Sequence, residues 1–128
     1  MIIRAPQLVV VLLFTWAALF FESVHGESDG PNKAQTEHLN IEKGKVLAFD
    51  RNLGNCLACH FIAGGELPGN VGPPLIQMKL RFPDRAVLRA QIWDAKNRNP
   101  DTVMPPYGRH GILTEQELDL VVDYIHEL

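Results

Sequence analysis

The run Cys56-Leu57-Ala58-Cys59-His60 constrains this chain more than any other feature. Two cysteines separated by two residues and followed at once by a histidine form C-x-x-C-H, the spacing that attaches haem covalently. The reason is chemical. The thiols add across the two vinyl groups on one edge of the porphyrin, and the imidazole that follows lies under the iron. Cys56 and Cys59 are therefore the candidate thioether residues, His60 is a candidate iron ligand, and one covalent haem c is the expected cofactor. Half a zinc site is the competing reading, but no second cysteine pair exists and His38, His110 and His126 lack zinc-like spacing. A thioredoxin-type dithiol would sit in a βαβ pattern, and none surrounds this one. A local disulfide would leave His60 without a role.

Residues 1–26 read as a secretory signal peptide. Arg4 supplies a positive start, residues 8–21 are uncharged and almost wholly apolar, and small or short residues precede a cut after Gly26. The apolar stretch holds 14 residues, short of the roughly 20 that a bilayer span needs. Cleavage, with no stable membrane span afterwards, is expected in preference to an anchor, and the periplasm is the expected compartment. Residues 27–38, with Gly30 and Pro31, read as a flexible lead-in, and residues 39–128 as the folded domain. The net charge is −3 and no basic run appears, so no nucleic-acid surface is expected. A domain this small buries a limited core, and haem would supply its apolar centre.

Helical signals dominate. A first helix is expected from Thr36 or Asn40 to residue 49, with Ile41, Gly44, Leu47 and Ala48 on one face. Gly44 in mid-helix costs up to about 1 kcal/mol against alanine, which a close helix crossing would explain. Gly64, Gly65, Pro68, Gly69, Gly72, Pro73 and Pro74 fall within eleven residues and exclude regular structure there. A short helix is expected over 75–80. Asp84 is a good cap for another over 85–96, with Val87, Leu88, Gln91, Ile92 and Ala95 inward. Trp93 reads as core or haem-packing. Thr114 and Glu117 form the capping box of a final helix, in which Leu118, Val121, Val122 and Ile125 recur at helical spacing and Tyr124 flanks them. Asp119, Asp123 and Glu127 read as its wet face. No strand signal rises above noise, so the expected fold class is small, all-α and haem-centred.

A second loop, residues 97–111, holds Met104-Pro105-Pro106-Tyr107-Gly108. Proline fixes φ, and two in succession would hold a thioether at a set distance. Met104 is therefore the candidate second iron ligand; His/Met pairing raises the reduction potential. A core methionine is the alternative reading. Met78, 18 residues after His60, and His110, six past Met104, are the competing side chains. Arg81, Arg109 and His110 are either partners for buried haem carboxylates or ordinary solvated side chains.

The first helix with Gly44, the last with Tyr124 and C-x-x-C-H between them resemble the monohaem cytochrome c fold, whose terminal helices cross and whose loops wrap haem. That resemblance implies contact between Gly44 and Tyr124, a Pro73 carbonyl that accepts the N–H of His60, and Met104 as distal ligand. A narrower likeness rests on Pro68-Gly69-Asn70-Val71-Gly72-Pro73-Pro74-Leu75, Ile92-Trp93-Asp94 and Asn99-Pro100-x-Thr102-x-Met104-Pro105-Pro106. Over residues 41–127 the chain resembles SoxX, the monohaem subunit of the SoxAX cytochrome of bacterial sulfur oxidation. The resemblance implies a subunit of L-cysteine S-thiosulfotransferase. That complex oxidatively joins thiosulfate to a cysteine of the SoxYZ carrier and releases two electrons. The catalytic haem would lie on a SoxA-type partner, and this subunit would relay electrons to a downstream cytochrome c. The residues agree with that division. Both cysteines are consumed by thioethers, and an iron held by His60 and Met104 has no open position, so no catalytic residue is expected on this chain. A free periplasmic electron shuttle is the alternative; a sensory or peroxidase-like haem protein would need an open coordination site.

Overall fold

The computed structural model describes residues 32–128; the signal-peptide reading lies outside the described residues. Helix α1 (Lys33–Phe49) begins before Thr36 and Asn40, because Asn32 caps it by accepting the Gln35 N–H at 2.9 Å. Lys, Ala, Gln and Glu are good helix formers, and with that cap the polar residues up to 38 join the helix. Residues 33–38, expected in the flexible lead-in, are therefore helical, and residues 27–31 of that lead-in lie outside the described residues.

Helix α4 (Glu115–Glu127) opens on the expected capping box: Glu117 N–H donates to Thr114 Oγ1 at 3.2 Å, and Thr114 N–H to Glu117 Oε2 at 2.9 Å. It buries Leu118, Val121, Val122, Tyr124 and Ile125. Helices α1 and α4 make the main packing of the fold. They cross at Gly44, where an added Cβ would lie 2.0 Å from the Leu120 carbonyl oxygen and 2.9 Å from Tyr124 Cβ. Backbone meets backbone there, which accounts for a glycine that helix propensity alone would disfavour. Phe49 packs edge-on against Tyr124, ring centroids 6.0 Å apart.

Two short helices complete the frame. Helix α2 (Met78–Arg81) starts later than expected, because Gln77 is left-handed (φ 51) and its N–H bonds the Leu128 carbonyl at 2.8 Å. Helix α3 (Arg85–Trp93), capped by Asp84, stops short of residue 96. Asp94 turns extended, and its carboxylate accepts the Lys96 N–H at 3.1 Å, opening a separate 3₁₀ turn at Ala95–Asn97. The buried stripe of α3 is Leu88 and Ile92; Val87, expected inward, is exposed. The acidic row of α4 is more than a wet face. Arg85 Nε reaches Asp123 at 2.6 Å, Arg89 Nε reaches Asp119 at 2.9 Å, Arg89 also pairs with Glu115, and Lys79 reaches Glu127 at 2.6 Å. Pairs this exposed are worth at most about 1 kcal/mol each, but together they align α2 and α3 along α4. Among the described residues there is no strand, as an all-α fold requires. Also among them, no helix is long and apolar enough to cross a membrane.

Candidate functional site

The core does not close on itself. Met78, Leu88, Ile92, Leu113, Val121 and Ile125 belong to the buried cluster and also line a cavity of about 690 Å³. Cys56, Cys59, His60, Pro73 and Met104 stand on the walls of the same cavity. The structure thus brings together all five residues singled out in the sequence.

The cysteine motif is held from both sides. Gly54 N–H bonds the Leu47 carbonyl of α1 at 3.1 Å, and left-handed Asn55 (φ 47) leads into a 3₁₀ turn at Cys56–Ala58. His60 N–H closes that turn on Cys56 O at 2.9 Å. The glycine- and proline-rich stretch that follows wraps back over the motif through its backbone. Gly69 N–H donates to Leu57 O at 2.7 Å, Gly72 N–H to Cys59 O at 2.8 Å, and Leu75 N–H to Phe61 O at 2.9 Å. Side chains would block this. A Cβ on Gly69 would meet Ala58 O at 2.1 Å, and one on Gly72 would meet His60 Cε1 at 2.3 Å.

His60 Nδ1 lies 2.7 Å from the Pro73 carbonyl oxygen. A carbonyl only accepts, so Nδ1 carries the proton and Nε2 keeps its lone pair. The neighbouring Pro74 carbonyl instead accepts from Arg81 Nη1 at 2.7 Å. Burial pushes the Cys56 thiol up to about 11, which keeps it protonated at neutral pH.

The Met104 loop is anchored by contacts that the sequence reading did not assign. Tyr107, buried, donates its hydroxyl to the Gly54 carbonyl at 2.6 Å, bridging the methionine loop to the approach of the cysteine motif. Arg109 Nη1 pairs at 3.0 Å with Asp94, which is 2 % exposed. Gly108 and Arg109 N–H groups bond the Trp93 carbonyl at 3.1 and 3.3 Å. A Cβ on Gly108 would overlap Trp93 Cε3 at 1.8 Å, so the indole packs on the loop backbone and is not among the cavity-lining residues. The signal for these anchors lay in Ile92-Trp93-Asp94 and in a tyrosine following two prolines, but the pairing itself is tertiary.

The competing side chains separate clearly. His110 is exposed and off the cavity wall. Met78 lines the cavity but is buried in the core cluster, its sulfur 3.5 Å from Arg81 Nη1. Arg81 is on the wall, whereas Arg109 is committed to Asp94. Gln91 also lines the cavity, and its buried Oε1 has no hydrogen-bond partner.

A cytochrome c family model matches residues 41–128. The chain is similar to one chain of the crystal structure of SoxXA from P. pantotrophus, with 31 % identity and a TM-score of 0.61, covering 68 % of this chain and 80 % of that one. It is also 33 % identical over 75 residues to an uncharacterised lipoprotein of Aquifex aeolicus (strain VF5); the match covers 58 % of this chain and 36 % of the relative. The chain therefore spans about a third of that relative's length. The residues on the cavity wall fit the covalent haem c that the family match implies: two thiols, an imidazole in a glycine cradle, a thioether, and an otherwise largely apolar lining.

Proposed function

The chain belongs to the cytochrome c family, a family of covalent haem c and electron transfer, and from that premise we propose that it is the electron-transfer subunit of a SoxAX-type complex. The likeness to a SoxXA chain over 80 % of that chain's length carries the narrower reading. Bound haem c supplies one-electron redox chemistry at iron. Cys56 and Cys59 would hold it through thioethers, and His60 and Met104 would ligate its iron. The bond from His60 Nδ1 to Pro73 O orients the imidazole and raises the basicity of Nε2. Tyr107, Arg109 and the Trp93 carbonyl hold the Met104 loop in register.

With His60 and Met104 both on the iron no position would remain for substrate, so this subunit would relay electrons and not itself activate sulfur. The catalytic haem belongs to a SoxA-type partner in a heterodimer that conjugates thiosulfate to a SoxYZ cysteine, and a downstream cytochrome c takes the electrons. Residues 1–26 direct export to the periplasm. Val71 and Val103, which line the cavity and are 68 % and 78 % exposed, are apolar positions on an otherwise mixed rim and suit contact with another cytochrome.

The test is reconstitution. The haem-loaded chain is combined with the SoxA-type cytochrome of its host, and cytochrome c reduction is followed. A one-to-one complex that reduces cytochrome c only with thiosulfate and SoxYZ present is expected. A chain that elutes alone and exchanges electrons with several acceptors in a salt-sensitive way is instead a free shuttle, and the subunit reading fails.

A further inference from the structure

The carbonyl that accepts from His60 lies in a stretch with few means of holding itself. Pro73 and Pro74 carry no N–H, so between Gly72 and Leu75 the backbone can be tied only through its carbonyls. Pro73 O accepts the His60 Nδ1–H at 2.7 Å, and Pro74 O accepts from Arg81 Nη1 at 2.7 Å. The flanking donors turn back to the cysteine motif and its next residue: Gly72 N–H bonds Cys59 O at 2.8 Å, and Leu75 N–H bonds Phe61 O at 2.9 Å. Arg81 comes from another part of the fold. It ends α2, which Gln77 N–H bonds to the Leu128 carbonyl and whose Lys79 pairs with Glu127 of α4.

The Pro74 C=O and the Leu75 N–H belong to one peptide unit. Arg81 holds its oxygen, and Phe61 O holds its hydrogen, so the plane is pinned at both polar ends. The pyrrolidine rings fix φ at 73 and 74, and a residue before proline is confined in ψ as well. Little freedom therefore remains between the pinned plane and the Pro73 carbonyl. Among the described residues no carboxylate pairs with Arg81, although its side chain is exposed; Nη1 goes to Pro74 O and lies 3.5 Å from Met78 Sδ.

We propose that Arg81 is a positioning residue for His60: by holding the Pro74 carbonyl it keeps the Pro73 carbonyl in place to accept the Nδ1 proton. The proposal rests on the reading of His60 as iron ligand. It differs from pairing of Arg81 with a haem carboxylate, where the guanidinium acts through its charge and leaves the bond between Pro73 and His60 untouched. Without Arg81 the peptide plane is held at one end only, the His60 bond opens more often, and the imidazole turns more freely.

The test is hydrogen exchange by NMR on the reduced, haem-loaded protein, comparing wild type, Arg81→Met and Arg81→Lys. Three protons are followed: His60 Nδ1–H, Leu75 N–H, and Gly69 N–H, which bonds Leu57 O in the same loop. In Arg81→Met the first two are expected to exchange about two- to tenfold faster, the scale of one lost hydrogen bond, while Gly69 keeps its rate. Local opening of this kind is what exchange reads. Arg81→Lys keeps a cationic donor and is expected to recover part of the protection. An unmoved His60 Nδ1–H in Arg81→Met overturns the proposal, and if the redox equilibrium shifts all the same, Arg81 acts through charge on the haem carboxylates. Equal acceleration of all three protons also overturns it, as does an Arg81→Lys protein no better protected than Arg81→Met. Wild-type imidazole C–H signals without the ring-current shift of an iron-bound histidine are a different failure: they remove His60 as ligand, and the proposal falls with that reading.

Discussion

Replacing Tyr107 with phenylalanine isolates one bond that ties the Met104 loop to the approach of the cysteine motif. The ring keeps its place in the core, and only the hydroxyl that donates to Gly54 O at 2.6 Å is lost. Gly54 is itself buried, packed so closely on α1 that a Cβ there would lie 2.6 Å from Leu47 O. Its carbonyl cannot turn to water without disturbing the approach to Cys56. A net hydrogen bond is worth roughly 0.5–1.5 kcal/mol, and a stranded buried acceptor costs roughly 1–3, so the expected loss is about 1–3 kcal/mol. In a domain of this size that lowers Tm by on the order of 5–15 °C. The effect should be uneven. Tyr107 is three residues past Met104, so thermal melts of the haem-loaded variant should lose the methionine–iron band well before far-UV dichroism reports unfolding. Burial also pushes the Tyr107 phenol above its ordinary range. A raised folded value means that stability is full below about pH 10 and falls as pH rises toward that value. The variant should therefore show a shallower alkaline loss of stability than wild type. An unchanged Tm, or a band and a backbone signal that fall together as in wild type, would refute the strut.

Gly44→Ala should destabilise by about 2 kcal/mol in urea unfolding, because a Cβ 2.0 Å from Leu120 O must push the α1 and α4 backbones apart; overpacking of about 1–3 kcal/mol or more outweighs the propensity gain of about 1. Gly72→Ala places a methyl 2.3 Å from His60 Cε1; it should displace the imidazole, seen as an altered ferric spectrum and increased carbon monoxide binding by the reduced protein. Asp119→Asn tests the acidic row. Burial alone would raise the Asp119 carboxyl, but hydrogen bonds and charge from Arg89 and Arg85 outweigh it and hold it below the usual range. A depressed carboxylate stabilises above its unfolded value and loses that contribution as pH falls through its folded value. Wild-type Tm should therefore drop between about pH 5 and 3, with a flatter slope in the variant.

What could be read from the chain was whatever local chemistry fixes. C-x-x-C-H sets its own spacing because two thiols and an imidazole must meet one porphyrin edge. The α4 boundary was visible because a capping box closes within four residues. Gly44 was conspicuous as a helix-interior glycine, though its meeting with Tyr124 came only from family resemblance. The errors fall where a side chain or a backbone group answers to a partner that the local pattern does not reveal. Asp94 ends α3 early because its carboxylate caps the next turn and holds Arg109. Gln77 delays α2 by pairing with Leu128. Asp119 and Asp123 look like solvent-facing acids until Arg85 and Arg89 come alongside. Gln91 was placed on the correct face of α3, but its missing partner could be noticed only once the cavity was in view.

The same contacts that build the fold also set the spacing between His60 and Met104. His60 is held through Pro73, Gly72 and the backbone of its own motif, and Met104 through Tyr107, Arg109 and Trp93. Tyr107 then joins the two sets at Gly54. Neither side chain would rely on a bound iron alone for its position. Preorganised ligands need little rearrangement when the metal changes charge, and that suits electron transfer in a subunit or a shuttle alike. What separates those two roles must therefore lie outside these residues, at the exposed edge of the cavity. There Val71 and Val103 line the cavity and reach solvent. A charge placed at either rim position should leave the iron spectrum intact while weakening partner binding. If it does so for a SoxA-type cytochrome and spares unrelated acceptors, the rim marks this chain as a dedicated subunit.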